Sequence, residues 1–301
     1  MFKKVCIIGC GLIGSSLARV IRKKKLAKKI TSSNRSEEVN RKVIDLQIVD
    51  ESNSDTKKMV NNSDLIIIAT PLSSYENVIL KIKNSLMDGA ILTDVGSVKE
   101  VVSNLVEKHI PKNVSWIPSH PIAGTEESGP EAGFAELFQN RWCILTPSKK
   151  AKEKDISLLE NFWKKVGSTV DIMEAKKHDH ILSITSHIPH LIAYNIVNTT
   201  LDIQEEKKSE VVKYSAGGLR DFTRIAASNP IMWRDIFIQN KKNTAEIITK
   251  FIKNLEDLKK AIEKDDGKKL EKIFLKTKKI RKEIIEAGQD VEKPNFGRNE
   301  D

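Results

Sequence analysis

From its amino terminus the chain alternates short apolar runs with longer amphipathic stretches. KVCIIG, KITSSN, DLIIIAT, GAILTDV, VSWIPSH and RWCILTP are each strand-length and bounded by turn formers. Helical patterns separate the first four, which is the βαβ order of a parallel sheet. ISLLENFWKKVGSTVDIME then predicts a helix, a glycine stop at Gly167 and a strand ending near Met173. A first domain over residues 1–174 follows from this pattern.

From Ala175 onward the strand runs stop. HDHILSITSHIPHLIAYNIVNTTL predicts one long, mostly apolar helix, and more helices follow AGGLRDFTRIAASNP. Ile247, Phe251, Leu255, Leu258 and Ile262 recur at three- and four-residue spacing. Gly267 breaks that helix, and another runs through Ile273, Ile280 and Ile284. Residues 175–301 therefore read as an all-helical domain. Its apolar stripes need cover, either within a bundle or from a second copy, and a homodimer is the expectation. The tail QDVEKPNFGRNED is polar and expected to fray. The pattern gives a parallel-sheet α/β N-terminal domain followed by an all-α C-terminal one.

Composition narrows the function. The 301 residues suit two domains. No apolar run reaches membrane-span length, and MFKKVCIIGCG lacks the apolar core and cleavage site of a signal peptide. A soluble, cytoplasmic protein without a membrane partner is expected. The net charge of +10 comes from 51 basic against 41 acidic residues. The basic residues are spread along the whole chain and aromatics are only 5%, so no nucleic-acid groove is apparent. The surplus suits an anionic small molecule. Cys6, Cys10 and Cys143 make no disulfide framework, and the first two read as packing residues beside a glycine turn.

That turn carries the first chemistry. Gly9, Gly11 and Gly14 form G-x-G-x-x-G between a strand and a helix, with Leu12 and Ile13 between the last two glycines. The first glycine permits a tight turn, the second lets backbone approach a pyrophosphate, and the third lets helix pack on strand. Thr70 and Pro71, directly after DLIIIA, join this candidate cofactor set. An NAD site expects a carboxylate about twenty residues after the glycines. Here Asn34, Arg35 and Ser36 stand there instead. A guanidinium forks onto a 2′-phosphate that a carboxylate would repel, so the reading is NADP. The alternative is NAD, with Glu37 serving the ribose from a shifted register and Arg35 solvated.

Taken together, GCGLIGSS, DVGSVK, SHPIAGTEESG, SHIPHLIAY and DFTRIAASNPIMWRDI resemble the prephenate/arogenate dehydrogenase family of tyrosine biosynthesis. The resemblance runs in order from the first strand to about Asn240, and it implies an α/β Rossmann-type N-terminal domain followed by an all-α C-terminal dimerisation domain. It implies oxidative decarboxylation of prephenate or arogenate, with hydride transfer to the cofactor. The two substrates differ only in a keto against an amino side chain, and both stay open. The resemblance implies His120 as catalytic base and Ser97 as its partner at the substrate hydroxyl. It also makes His190 a partner of the side-chain carboxylate. A neutral imidazole suits the base role near neutral pH. Pro121 and the small residues after it are expected to leave the ring open to the pocket. Ser97 also reads as an N-cap for a helix over 100–106. Thr125 and Glu126 would line the side-chain pocket. Arg224 would grip the ring carboxylate, steadied by Asp221, and Trp233 would supply an apolar wall.

Other readings are a related imine or 3-hydroxyacid dehydrogenase, which would lack HPIAGTE and DFTRIA, or a dinucleotide-sensing regulator, which would need a further binding module. His178, His180, His187 and His190 invite a metal reading. No carboxylate or cysteine completes a ligand set, and no metal is expected. His178 and His109 are expected at the surface.

Overall fold

The apolar run near the amino terminus becomes β1 (Phe2–Ile8), whose last four residues are buried. Alternate side chains serve opposite faces of the sheet. Val5 and Ile7 join one core cluster with Leu17, Ile21, Phe162 and Trp163. Cys6 and Ile8 join another with Met59, Ile79, Val102 and Trp116. A strand covered on both faces must be apolar throughout, which is why it reads as a continuous run. The computed structural model describes residues 1–125, 127–201, 210, 213–215 and 217–286. Glu126 and the polar tail from Gln289 lie outside the described residues.

After β1 come α1 (Leu12–Lys23), β2 (Ala27–Ser33), α2 (Glu37–Asp45), β3 (Glu51–Ser52), α3 (Thr56–Val60), β4 (Leu65–Ile68), α4 (Tyr75–Ile82), β5 (Ile91–Asp94), α5 (Glu100–Val106) and β6 (Ser115–Trp116). The sheet order is β3-β2-β1-β4-β5-β6, all parallel. That is the Rossmann order, and its direction reverses between β1 and β4. The two-residue β3 carries no apolar run, and the sequence pattern does not show it.

VSWIPSH differs from expectation. It is two strands, β6 and β7 (Ser119–Pro121), in different sheets. Pro118 lies between them, and proline cannot donate to a ladder. β7 pairs antiparallel with β8 (Trp142–Leu145), and β8 pairs parallel with β9 (Thr169–Ile172). α6 (Glu153–Val166) joins β8 to β9 and ends on Gly167, whose φ of +122° favours glycine.

Beyond β9 the described residues are helical. α7 (Ala175–Leu182) and α8 (Ile188–Leu201) are separated by a π-helical turn, Ser183–His187, where one unbroken helix is expected. Pro189 accounts for this, because its missing N–H and its ring cannot be fitted to a regular α-turn. Then come α9 (Gly217–Thr223), a 3₁₀ turn at Arg224–Ala227 and α10 (Pro230–Gln239), which Asn229 caps. The chain forms two compact units, Met1–Thr244 and Ala245–Asp301. α11 (Lys241–Glu263) leads into the second unit, where α12 (Gly267–Ile284) follows. The turn before α12 has its left-handed residue at Asp265, φ 51°, and Asp266 caps the helix, so Gly267 opens α12 rather than ending α11.

Candidate active site

The glycine turn lies where the strand order reverses. Gly9 has φ +95°, and a Cβ there would stand 2.8 Å from the Ala69 carbonyl oxygen. A Cβ on Gly14 would stand 2.0 Å from the Gly9 carbonyl oxygen. Gly11 differs: an added Cβ would meet nothing within 4 Å. Gly11 is also the N-cap of α1, and no side chain caps it. An uncapped helix end opening on clear space, with Leu12 and Ile13 supplying its first amides, fits a dinucleotide pyrophosphate. Thr70 and Pro71 follow β4 beside this turn, and Thr70 Oγ1 accepts a bond from the Ser74 hydroxyl at 2.9 Å.

The end of β2 divides its three candidates. Arg35 is exposed. Asn34 is buried, and its Oδ1 accepts the Cys10 N–H at 2.6 Å. Its Nδ2 donates to Asn40 Oδ1 at 3.1 Å. Both ends of that amide are engaged by protein, so Asn34 holds the glycine turn instead of reaching outward for a phosphate. Ser36 caps α2, accepting the Val39 N–H at 3.4 Å.

His120 sits in β7, and its strand is fixed from beneath. Lys99 and Asp94 are both fully buried and ion-paired at 2.6 Å. Lys99 Nζ also donates to the Ser119 carbonyl at 2.7 Å, and the Ser119 N–H donates to Asp94 Oδ1 at 3.2 Å. The Tyr75 hydroxyl donates to Asp94 Oδ2 at 2.9 Å. A buried pair this heavily bonded fixes position more than it adds stability. The DVGSVK motif carries both members, but pattern alone does not reveal that Lys99 turns inward.

The His120 ring is only 7% exposed, so it is less open than Pro121 and its small neighbours suggest. Burial pushes its pKa well below 6.5, and His178 and Lys99 act the same way. His120 is therefore neutral at physiological pH. Its Nδ1 lies 2.8 Å from His178 Nε2, and His178 Nδ1 lies 2.8 Å from Asp179 Oδ1. His178 is 0% exposed, contrary to the surface position expected of it, and His109 is half-buried. The reason is long-range. The Asp179 carboxylate accepts the N–H groups of Lys99 and Glu100 at 2.8 and 2.9 Å. Asp179 thus does the capping expected of Ser97, which is half-buried in the turn ahead of α5. The loop after His120 returns onto the cofactor helix, where the Phe134 N–H meets Ser16 Oγ at 3.1 Å.

The helical side adds an aromatic wall. His190 stacks on Trp233, centroids 3.7 Å apart, and its Nδ1 bonds the Ser186 carbonyl within the π-turn. Trp233 is buried and packs with Val98 and Ile236, so it is both core and wall. Burial lowers the pKa of His190, and the nearby charge of Arg224 lowers it further. Arg224 and Asp221 are exposed, and Asp221 lies 3.7 Å from the Arg220 guanidinium. Thr125 is exposed, its hydroxyl accepting the Glu127 N–H at 3.3 Å. His187 is buried, with a pKa pushed down to about 4 by desolvation. Among the described residues no group of three or more His, Cys, Asp or Glu is placed to hold a metal ion.

The model of the prephenate dehydrogenase nucleotide-binding domain matches residues 17–172, and that of the prephenate dehydrogenase dimerization domain matches 174–276. The cyclohexadienyl dehydrogenase of Zymomonas mobilis is 36% identical, over 93% of this chain and 96% of that protein. The prephenate dehydrogenase of Bacillus subtilis is 31% identical, over 92% of this chain and 75% of that protein. A crystal structure of the Aquifex aeolicus prephenate dehydrogenase, with hydroxyphenyl propionate and NAD+, superposes with a TM-score of 0.88 at 34% identity. It covers 94% of this chain and 99% of that one.

Proposed function

The chain belongs to the prephenate dehydrogenase family, and from that premise we propose that it converts prephenate to 4-hydroxyphenylpyruvate by oxidative decarboxylation, in tyrosine biosynthesis. Arogenate, which would give tyrosine, is the second candidate substrate. A nicotinamide dinucleotide, held at Gly9, Gly11 and Gly14, supplies the hydride acceptor. The observation that carries the reading is the neutral, buried imidazole of His120, on a loop that returns to the cofactor helix. The ring hydroxyl of the substrate gives its proton to His120 Nε2 as hydride leaves the same carbon. The ring carboxylate departs as carbon dioxide, and the new aromatic ring makes the step irreversible. Ser97 bonds the hydroxyl and orients it. Arg224 grips the ring carboxylate in a fork, with Asp221 beside it on α9. His190, stacked on Trp233, meets the side-chain carboxylate, and Thr125 lines that end.

For the cofactor we infer NADP. Asn34 and Ser36 are occupied with the fold, so the preference rests on Arg35. The Aquifex neighbour binds NAD+, which makes NAD the competing outcome. The division at residues 174 and 175 is kept, and the meeting point of the two family models supports it. A homodimer through the helical part is also inferred. Ile252, Leu255, Ile262, Phe274, Leu275 and Ile280 are 46–63% exposed, and a second copy would cover them. Among the described residues no helix is long and apolar enough to cross a membrane.

The test is a steady-state assay of purified protein with both substrates and both cofactors, repeated with His120→Asn. We expect turnover of prephenate, arogenate or both. The variant should bind substrate and cofactor but lose about 10²–10⁴-fold in kcat. No oxidation of either substrate, or near-native turnover by the variant, would refute the assignment.

A further inference from the structure

We propose that Asp179 and His178 are positioning residues that lock His120 in one tautomer, with its Nδ1 protonated and the Nε2 lone pair free to act as the base. This rests on the reading of His120 as the base, and it adds how the fold arms it.

The deduction starts at the carboxylate. Asp179 Oδ1 accepts the Lys99 N–H at 2.8 Å, and Oδ2 accepts the Glu100 N–H at 2.9 Å. Both oxygens already accept a backbone N–H, and an ionised carboxylate can accept these two bonds and the ring's at once. The group is therefore an acceptor only. The nitrogen 2.8 Å from Oδ1, His178 Nδ1, must then carry its hydrogen. In a neutral imidazole that leaves Nε2 of His178 as an acceptor. His120 Nδ1, 2.8 Å from it, must be the donor. Nε2 of His120 is left without a proton. Among the described residues it makes no hydrogen bond, nor is it sealed from solvent. Three short contacts thus fix which nitrogen of the base is armed.

The opposite arrangement would put a hydrogen on Nε2 of His120 and block the base. It would also need Asp179 to donate while facing two N–H groups. The groups facing the relay agree. The charges of Lys99 and His187 both act to keep His120 unprotonated, Cys143 is buried against the His120 backbone, and desolvation keeps both rings neutral. Lys99 is itself neutralised by Asp94. When His120 takes the substrate's proton, its imidazolium gains a neutral acceptor at Nδ1, with a carboxylate one ring further on. The arrangement resembles the Asp–His pair of serine hydrolases, where the carboxylate sets the tautomer and steadies the imidazolium.

The first measurement is the ¹⁵N NMR spectrum of ¹⁵N-histidine-labelled protein. The chain has only six histidines, and His120→Asn identifies the signal. The expected spectrum has a protonated Nδ1 and a bare Nε2 on His120. A His120 signal protonated on Nε2 would overturn the proposal without any mutation of the relay. The second is His178→Phe, which keeps the ring volume and removes the acceptor. The Nε2–H form of His120 should appear, and kcat should fall about 10–100-fold with KM little changed, part of what base catalysis supplies. His178→Gln, whose amide oxygen can accept from Nδ1, should recover part of the loss. Native kcat in His178→Phe, or lost kcat with the tautomer unaltered, would overturn the assignment. If His120→Asn itself keeps native turnover, the base reading fails, and the tautomer result then stands or falls alone.

Discussion

Arg35 stands at the end of β2 with its side chain in solvent, the one candidate there that the fold does not employ. Arg35→Ala should weaken NADP more than tenfold, since a charge-assisted bond contributes about 1.5–3 kcal/mol. NAD binding should be unchanged. Isothermal titration with each dinucleotide checks this, and equal loss for both would show that Arg35 is a solvated charge. Asn34 was as legible a candidate by residue type. What sequence cannot display is where an amide points, and Asn34 turns inward to Cys10 and Asn40. His178 shows the same limit in reverse. HDH looks like the exposed polar start of a helix, yet Asp179 binds backbone 79 and 80 residues away and draws His178 into the core.

At the level of elements, local chemistry was the readable part. Apolar runs mark β1, β2, β4 and β5, the glycine spacing marks the turn into α1, and Gly167 marks the end of α6. Elements that depend on distant pairing were not readable. β6 and β7 look continuous despite Pro118, and their separate partners, β5 and β8, part them. The π-turn had a local sign in Pro189, but its register is set by helix packing. The join between β2 and the glycine turn can be tested. Asn34→Ala removes the acceptor for the Cys10 N–H and leaves that buried donor unpaired. Such a loss costs about 1–3 kcal/mol. The thermal midpoint should fall, and NADP and NAD should weaken by the same factor. That pattern is opposite to the one expected for Arg35→Ala. A selective loss of NADP would return Asn34 to the role of phosphate ligand.

Over the whole molecule, the buried imidazoles tie folding to pH. His120, His178 and His187 all have pKa values lowered by desolvation, His187 to about 4. In the unfolded chain each would titrate near 6.5. Between those values the unfolded state binds more protons than the folded one, so stability rises with pH. It is full above about pH 6.5 and falls as the solution is acidified toward pH 4. His187 alone, with its pKa held down to about 4, gives up roughly 3 kcal/mol across this window, and His120 and His178 act in the same direction. Against a total stability of roughly 5–15 kcal/mol, that is a large fraction. Glu51, held below its usual value of 4.5 by Lys29, gives up its ion pair only in more acidic solution. Urea midpoints at pH 7.5, 5.5 and 5.0 should therefore drop in order. His187→Gln, which cannot take up the proton, should flatten the drop by about one histidine's share. The arrangement that keeps His120 neutral and able to accept a proton is the same one that makes the fold acid-labile. A protein equally stable at pH 7.5 and 5.5 would mean that these rings are not held neutral by burial.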